Sequence, residues 1–398
     1  MEEIDAQNDK VIENPSMSYL EYRVKTIPAG WRKVLFMNWG LIALIIGAAF
    51  SGFAMLISVA GGNIEPWALS QMQRFSIGLL AMFIIAMTPI WIWRNVSVPI
   101  YMLAIVLLLL VEFLGSTGMG AKRWINLGFI NLQPSEVAKI ALVMLLAAYY
   151  DWLPADKVSR PLWILVPIAF ISLPVLLVLQ QPDLGTSLLL LLSGVTVMFL
   201  AGVHWVYFGT VIAFTGGFVL ALFKSRGTEW QLLQDYQFSR IDTFLNPDSD
   251  PLGAGYHISQ SKIALGSGGW TGRGYMEGTQ SRLNFLPEKH TDFIFTTIAE
   301  ELGFIGTISI LAIYVGIMVF CLHSALRHRE RFSSLLTLGL TMTFFLFFSV
   351  NMSMVMGLAP VVGVPLPLIS YGGSAMLVLM GAFGLIQSAH VHRPRDNA

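Results

Sequence analysis

The stretch IFTTIAEELGFIGTISILAIYVGIMVFCL, residues 294–322, is an apolar run long enough to cross a bilayer. About 20 apolar residues in an α-helix span the hydrocarbon core, so this run predicts a transmembrane helix. Immediately before it, the segment FLPEKHTDF (285–293) places four ionisable side chains within five positions. One of them, Asp292, lies at the start of the predicted helix and at the end of a long polar loop. A carboxylate held at the membrane surface beside a lysine and a histidine is a candidate general base.

The whole chain shares this apolar character. Of its 398 residues, 55% are apolar and only 12% are charged, whereas a soluble domain carries about 25% charged residues. Apolar runs of about twenty residues recur along the chain, which predicts an all-α polytopic membrane protein. Basic and acidic residues balance, with 24 of each, so the net charge indicates no class of partner. The single cysteine, Cys321, excludes a disulfide within the chain and disfavours a cysteine metal site.

Ten spans are predicted, and the basic residues of the short loops orient them. Cytoplasmic loops of membrane proteins carry an excess of lysine and arginine. Basic residues occur in three segments: the polar N-terminal tail (1–33), the connection between spans eight and nine, and the C-terminal tail (393–398). The N-terminal tail lacks the layout of a cleaved signal peptide. An even number of spans puts all three on one side, which we expect to be the cytoplasm. The single transmembrane domain, 34–392, comprises spans 34–59, 74–93, 97–115, 134–151, 161–180, 184–202, 204–223, 293–322, 333–356 and 367–390.

The long segment 224–292 connects spans seven and eight and falls on the outer side. It is rich in glycine and lacks the apolar periodicity of a separately folded domain. Loops of this length without a core of their own are usually functional lids or disordered. Its aromatic residues, interleaved with arginine and lysine, argue against disorder. We therefore expect short helices that lie on the membrane surface over a cavity.

Four groups of polar residues lie at the ends of predicted spans, and the topology places all four on the outer side. Ionisable groups at membrane depth are unfavourable and usually face a cavity. The groups are the start of span four (122–139), the start of span six (180–186), the glycine-rich segment (253–274) and the segment around Asp292. We take Asp292 as the candidate catalytic residue. The candidate substrate-binding residues are Lys122, Arg123, Trp124, Glu136, Lys139, Gln181, Asp183, Gln260, Ser261, Lys262, Lys289 and His290.

Each group also has a purely structural interpretation. A Lys-Arg pair before a tryptophan is commonly an anchor at the membrane interface. Glu136 and Lys139 are three residues apart and share a helix face, which favours a structural ion pair. Asp183 and Asp292 can each cap the helix that follows, and capping would lower the carboxyl pKa and weaken Asp292 as a base.

Further acidic residues lie inside predicted spans. Glu112 falls in span three, and Glu300 and Glu301 follow Asp292 in span eight. A spacing of eight puts Glu300 near the helix face of Asp292, two turns further along, and we take Glu300 and Glu301 as structural partners. The histidines are too scattered for a metal site, so no metal ligand is predicted. A divalent cation, Mg²⁺ or Mn²⁺, is compatible with the sequence, but no residue is assigned to it.

Together, the four groups indicate a chemistry. Arginine and lysine at an outer membrane face, beside glycines that allow close backbone approach, suit a phosphate or pyrophosphate. Neighbouring aromatic residues suit sugar faces or an isoprenoid chain. A carboxylate that deprotonates an alcohol completes a polymerase of lipid-pyrophosphate sugars, in which cations hold the departing pyrophosphate. A transporter of lipid phosphates would use similar cations, so that class stays open at this point.

Several motifs occur in order along the chain: RWI (123–125), QPSE (133–136), QPDLGT (181–186), QS (260–261), the segment 285–295 and SYGGS (370–374). They resemble, in the same order, the motifs of the SEDS family, the shape, elongation, division and sporulation proteins. The resemblance covers nearly the whole chain after the tail. Within the family, the segment PVVGVPLP (360–367) is similar to the elongation members (RodA-type) rather than the division members (FtsW-type).

The resemblance implies an activity, a location and partners. It implies a ten-span peptidoglycan glycosyltransferase of the bacterial inner membrane that polymerises lipid II, the undecaprenyl-pyrophosphate-linked disaccharide pentapeptide, on the outer side. Asp292 matches the family's essential aspartate, whose implied role is to take the proton from the 4-hydroxyl of the acceptor GlcNAc. Undecaprenyl pyrophosphate would then leave with inversion at the anomeric carbon. The implied partners are a class B penicillin-binding protein that cross-links the strands, other proteins of the elongation complex and membrane lipids, with no nucleic acid.

Family-important positions also match at Arg123, Trp124, Glu136, Lys139 and Asp183. One departure is Asn131, which stands where relatives commonly carry arginine, so another cation such as Lys122 must compensate if that arginine holds pyrophosphate. A flippase of the same precursor would place charge deep in the membrane along a two-sided path, often with inverted repeats. In this sequence the cationic residues of the motifs cluster on one side, and no repeat is evident. A non-catalytic scaffold would leave the polar groups without a purpose.

Overall fold

The computed structural model describes residues 30–118, 121–126, 128, 131–181, 183–228, 231, 238, 242, 254–283, 289–361 and 363–394. Within these residues the protein is a bundle of ten helices of at least seventeen residues, and each overlaps one predicted span. Their bounds are α1 (Trp39–Val59), α2 (Ala68–Met87), α4 (Ser97–Leu114), α5 (Pro134–Trp152), α6 (Pro161–Gln180), α7 (Leu184–Leu200), α8 (Trp205–Ser225), α11 (Ile294–Leu326), α12 (Arg331–Val355) and α13 (Gly373–Val391).

The shorter elements lie in the connections between these helices. A 3₁₀ helix, Gly30–Phe36, precedes α1, and a second, Ala155–Lys157, precedes α6. The remaining short helices are α3 (Ile90–Asn95), α9 (Ala254–Ser267) and α10 (Thr279–Arg282). The last two agree with the short helices expected in the 224–292 loop, as far as that loop is described.

Length and composition make this a multi-pass membrane protein. Six of the helices, α1, α2, α6, α11, α12 and α13, are long and apolar enough to cross a membrane, and α4 and α7 are shorter apolar helices. Within a bilayer every backbone polar group must be satisfied inside its own segment, which an α-helix achieves. The prediction of an all-α polytopic membrane protein is confirmed.

Several helix ends differ from the predicted spans: α1 begins at Trp39 instead of 34, and α2 begins at Ala68 instead of 74. Local chemistry explains the end of α2. The second span was predicted over 74–93, but α2 ends at Met87 and a separate short helix, α3, follows. Thr88 precedes Pro89 and is extended, with ψ of 130°, because the proline ring disfavours a helical conformation in the residue before it. The last span was predicted to begin at 367, yet α13 begins at Gly373.

The helices of the bundle differ in how closely they pack and how much of their surface is buried. The α2 and α13 helices lie close along their length, and a Cβ on Gly384 would come within 2.8 Å of Ile85, so this crossing depends on a small residue. Helix α5 is buried on most sides, with Ala141, Leu142 and Val143 fully enclosed. In contrast, no described side chain of α8 is buried.

A small antiparallel sheet between α4 and α5 was not predicted. Its strands are β1 (Ser116–Gly118), β2 (Ala121–Asn126) and β3 (Asn131–Leu132), in the order β1-β2-β3. Trp124 pairs with Ser116, and Ile125 pairs with Leu132. The strands are too short for a period-two pattern to be visible in the sequence. This sheet brings Arg123 and Trp124 to the start of α5.

Candidate active site

The polar ends of several helices surround one cavity of about 350 Å³. Its walls are strand β2, the starts of α5 and α7, the turn before α11, and the connection between α12 and α13. Seven of the residues predicted from sequence line it: Arg123, Trp124, Glu136, Lys139, Asp183, His290 and Asp292. Tertiary structure therefore brings three of the four polar groups together.

Asp292 lies in the turn that leads into α11. The helix begins at Ile294 with Phe293 as its N-cap, so Asp292 stands one position outside the cap. Its carboxylate faces the connection between α12 and α13, where a Cβ on Gly363 would be 3.7 Å from Oδ2. The side chain is partly exposed and lines the cavity, which suits a group that must meet a substrate hydroxyl.

Glu136 and Lys139 form a buried ion pair in the cavity wall. The Lys139 ammonium donates to Glu136 Oε1 at 2.7 Å, and it also lies 3.9 Å from the centre of the Phe347 ring. Their side chains are 10% and 2% exposed. The predicted structural pair is thus present, and both of its members border the cavity.

Asp183 is the N-cap of α7 and an ion-pair partner at once. Its Oδ1 accepts from the backbone N–H of Thr186 at 3.1 Å, and its Oδ2 accepts from the Thr186 hydroxyl at 3.0 Å. Arg123 Nε lies 3.7 Å from the same Oδ2. The capping interpretation therefore holds, and the cap residue also couples β2 to the start of α7.

A row of neighbouring rings stands beside Asp292. His290 stacks on Trp67 with ring centres 4.5 Å apart, and Tyr371 follows at 6.0 Å from His290. The Arg74 guanidinium lies 5.0 Å from the centre of the Tyr371 ring. Sequence analysis missed Trp67 and Arg74, because they come from α2 and the loop before it, where no motif marks them. Tyr371 was visible only as part of the SYGGS motif.

Several predicted binding residues lie elsewhere. Gln181 donates to the carbonyl of Leu108 at 3.1 Å, and Ser261 donates to that of Val355 at 2.6 Å while fully buried. These bonds give both side chains structural partners. The other predicted residues that do not line the cavity are Gln260, Lys262 and Lys289; the Lys122 side chain lies outside the described part of the structure.

Lys289 interacts electrostatically with a second polar cluster, which is centred on Glu301 of α11. It is almost completely buried, and this burial lowers its pKa, while the charge of Glu301 partly offsets the effect. Glu301 accepts from the Ser58 hydroxyl at 2.6 Å and from the Met276 backbone N–H at 3.0 Å. The prediction that Glu301 is a structural partner agrees with these contacts.

Glu300 has the same kind of function. Its Oε1 accepts from the Thr279 hydroxyl and from the Gln280 backbone N–H, both at 3.0 Å. Glu300 is fully buried. The two glutamates therefore dock the loop segment before α11 onto α11 itself.

Metal ligands are not gathered in this site. Among the described residues, no three histidine, cysteine, aspartate or glutamate side chains lie together as a metal-binding group. Mg²⁺ is often held by one or two carboxylates together with substrate phosphates. A divalent cation at the pyrophosphate thus stays a prediction.

Comparison with known proteins identifies the family. The family model described as cell cycle protein, FtsW/RodA/SpoVE, matches residues 32–395. The peptidoglycan glycosyltransferase MrdB of Escherichia coli (strain K12) is 41% identical over 365 residues, covering 91% of this chain and 95% of that protein.

Solved structures agree with this match. A chain described under the structural coordination of polymerization and crosslinking by a peptidoglycan synthase complex is 29% identical, with a TM-score of 0.76, covering 89% of this chain and 97% of that one. The rod shape determining protein RodA of Thermus thermophilus is 27% identical, with a TM-score of 0.67, covering 90% and 98%. The predicted resemblance is confirmed, and the chain belongs to the FtsW/RodA/SpoVE family of cell cycle proteins.

Proposed function

We propose that this protein is a peptidoglycan glycosyltransferase that polymerises lipid II into glycan strands for cell-wall elongation. The observation that carries the proposal is the Asp292 carboxylate at a cavity shared with Arg123, Lys139 and an aromatic wall. The similarity to MrdB, named as a peptidoglycan glycosyltransferase, supports the same activity.

The reaction needs one base and a stabilised leaving group. Asp292 accepts the proton of the 4-hydroxyl of the acceptor GlcNAc as that oxygen attacks the anomeric carbon of the lipid-linked strand. The bond from the anomeric carbon to the pyrophosphate oxygen breaks, and undecaprenyl pyrophosphate leaves with the bonding electrons. Attack from the side opposite the leaving group inverts the anomeric carbon. Arg123, at the cavity wall, is the cation that we assign to the departing pyrophosphate.

Carboxylates outnumber cationic side chains in the cavity wall, which is why a divalent cation would suit the proposed reaction. The ionisable side chains that line it in the described structure are two cations, Arg123 and Lys139, and three carboxylates, Glu136, Asp183 and Asp292, besides His290. An incoming pyrophosphate adds further negative charge. Mg²⁺ or Mn²⁺ brought in with the substrate would supply positive charge at the leaving group, and no step above depends on it.

The test of the activity is polymerisation of labelled lipid II by the purified protein with its transpeptidase partner. We expect Asp292→Ala and Asp292→Asn to lower strand formation by at least about 100-fold, because general-base catalysis contributes that much. Asp242→Asn is the matched control, since Asp242 is a partly exposed aspartate of the same loop, paired with Arg226 at 2.6 Å. Strands at the wild-type rate from Asp292→Ala would sink the assignment, and lipid transfer across the bilayer without polymer would favour a flippase.

We also propose the orientation predicted from the basic loops, with both termini in the cytoplasm and the cavity facing the periplasm. Cysteine labelling tests it cleanly, because the native Cys321 is buried. Trp31 and Leu283 are exposed, at 88% and 63%. In intact spheroplasts a membrane-impermeant maleimide should label Leu283→Cys and leave Trp31→Cys unlabelled until lysis. The opposite labelling pattern would reverse the topology.

The partner we propose is a class B penicillin-binding protein, within the elongation complex. The structural relative described with a peptidoglycan synthase complex, in which polymerization and crosslinking are coordinated, supports this class. Co-purification of the two proteins from a membrane extract, with a rise in strand synthesis on adding the partner, is the expected result. Strand synthesis that is independent of any transpeptidase would contradict the proposed complex.

A further inference from the structure

The turn that carries Asp292 is held through its own carbonyl groups. The Asn351 side-chain amide donates to the carbonyl oxygen of Asp292 at 2.8 Å, and the Ser370 hydroxyl donates to that of Thr291 at 2.6 Å. Neither donor is near the turn in sequence, since Asn351 is in the last turns of α12 and Ser370 is in the connection to α13. Both donors are buried, at 0% and 3% exposure. Two distant side chains thus set the orientation of the Asp292 backbone.

The same two side chains hold the opposite wall of the cavity. The second amide hydrogen of Asn351 is donated to the carbonyl of Val364 at 2.7 Å, and the Leu366 backbone N–H donates to Ser370 Oγ at 2.8 Å. Val364 lines the cavity, and its neighbour Gly363 faces the Asp292 carboxylate. Asn351 and Ser370 therefore fix both the Asp292 turn and the wall that it faces. Together these set the width of the cavity beside the Asp292 carboxylate.

The geometry around Asn351 defines what its amide contributes. Both of its contacts are carbonyl oxygens, so the nitrogen must face them, because a flipped amide would set oxygen against oxygen. The amide oxygen is buried and has no hydrogen-bond partner in the described structure. Burying an unsatisfied acceptor is unfavourable. Stability alone therefore does not explain an asparagine here, whereas its two donated hydrogen bonds do, because one holds the Asp292 turn and the other holds the wall that the turn faces.

We propose that Asn351, together with Ser370, is a positioning residue for the general base. This proposal rests on the proposed function of Asp292. A general base works only within hydrogen-bond reach of the proton that it abstracts, and a displacement of about 1 Å can lower a rate about 100-fold. Neither Asn351 nor Ser370 lines the cavity. Both act through the backbone that carries Asp292.

The experiment compares variants that remove the donors but keep the shape. Asn351→Asp replaces the amide nitrogen by an oxygen, and Ser370→Ala removes the hydroxyl without adding charge. Ser370→Thr keeps a hydroxyl and is the conservative rescue. Thr337→Val is the matched control on α12, since the Thr337 hydroxyl is fully buried and donates only within its own helix, to Ser333.

Each variant, purified with its transpeptidase partner, is assayed for kcat and KM with lipid II across pH, and rates are divided by the folded fraction from size exclusion and thermal melting. We expect Asn351→Asp and Ser370→Ala to lower kcat about 10- to 100-fold with KM within about twofold. Ser370→Thr should recover most of the loss, and Thr337→Val should match the wild type. The pH at half-maximal rate should be unchanged in Ser370→Ala, because the base is displaced and its charge environment is preserved.

The outcomes separate the two proposals. Wild-type kcat in Asn351→Asp and Ser370→Ala, with Asp292→Ala inactive, would overturn the positioning role and leave the proposed function standing. A smaller folded fraction with normal kcat per folded molecule would also overturn the positioning role, because a residue that only stabilises the fold gives that result. Should Asn351→Asp fail to fold, the neutral Ser370→Ala and Ser370→Thr pair decides alone. Full activity of Asp292→Ala would instead remove the proposed function itself.

Discussion

Asp183 unites two roles that are alternatives when only the sequence is considered. As a cap it accepts from the backbone N–H of Thr186 in the first turn of α7, and as an anion it attracts Arg123 at the cavity wall. The two roles are compatible because a carboxylate has two oxygens and several lone pairs. A structural role at a helix end therefore does not remove a residue from an active site.

The buried pair of Glu136 and Lys139 provides a test at the same scale. Lys139→Met leaves Glu136 without its cation, and breaking a buried ion pair costs about 3–5 kcal/mol because an uncompensated charge remains. We expect a clearly lower melting temperature in detergent micelles. The double variant Glu136→Leu/Lys139→Met should regain much of the stability but no activity, since both side chains border the cavity.

An exposed ion pair supplies the control. Arg160 and Asp156 lie 3.1 Å apart with side chains 60% and 62% exposed, and such pairs contribute at most about 1 kcal/mol. Arg160→Met should therefore melt close to the wild type. Equal effects of Lys139→Met and Arg160→Met would mean that burial does not govern the Glu136–Lys139 pair.

At the scale of elements, the long helix α11 is interrupted where the loop before it docks. Gly303 has φ of 63° and ψ of −159°, a backbone conformation that is essentially confined to glycine. The backbone N–H of Phe304 donates to Gly269 at 2.9 Å, and that of Arg273 donates to the carbonyl of Glu300 at 3.0 Å. The hydrogen-bonding groups freed by the kink are thus satisfied by the loop.

Gly303→Ala tests this docking. A Cβ at this position would be 2.2 Å from the backbone nitrogen of Gly272, and the conformation is strained for alanine, so we expect a loss of at least about 2 kcal/mol. Hydrogen exchange in residues 268–280 should increase. Gly216→Ala in α8 is the control, since a Cβ there meets nothing within 4 Å. Unchanged exchange in Gly303→Ala would show that the loop does not depend on the kink.

At the scale of the whole molecule, stability should depend on pH through the end of the bundle where His328 and His392 lie. Burial, followed by the nearby charge of Arg393, lowers the pKa of His328 from 6.5 to about 4. Burial likewise lowers the pKa of His392, and the charge of Lys33 adds to this, whereas a bond to the Ser388 carbonyl opposes it. Both histidines are therefore neutral in the folded protein at any pH above the pKa of a histidine in the unfolded chain.

The sign of the dependence follows from linkage. Above about pH 6.5 His328 is neutral in both states and has no effect, whereas below it the unfolded chain binds a proton that the folded protein does not bind until about pH 4. Thermal melts in detergent should therefore show stability falling from pH 6.5 toward pH 4. His328→Asn should flatten this slope, and His323→Asn, at an exposed position, should not. An unaltered slope in His328→Asn would assign the dependence to other groups.

The sequence predicted the membrane bundle well, because insertion is decided by local composition. A helix of about twenty apolar residues is favourable in a bilayer wherever it stands in the chain, and ten long helices overlap the ten predicted spans. Helix ends were less accurate: Pro89 breaks the second span early, and the connection before Gly373 is not helical. Those ends depend on single residues and on the neighbours that they meet.

Asp292 was also singled out from sequence as the candidate base, since an ionisable cluster against an apolar run is unusual for a membrane protein. What only the tertiary structure decided is which residues share its cavity. Gln181 and Ser261 belong to motifs, yet they bond to backbone carbonyls elsewhere. Asn351 carries no motif, yet it holds the Asp292 turn. The physical reason is range: hydrophobicity acts residue by residue along the chain, whereas a site is made by hydrogen bonds and packing between segments far apart in sequence.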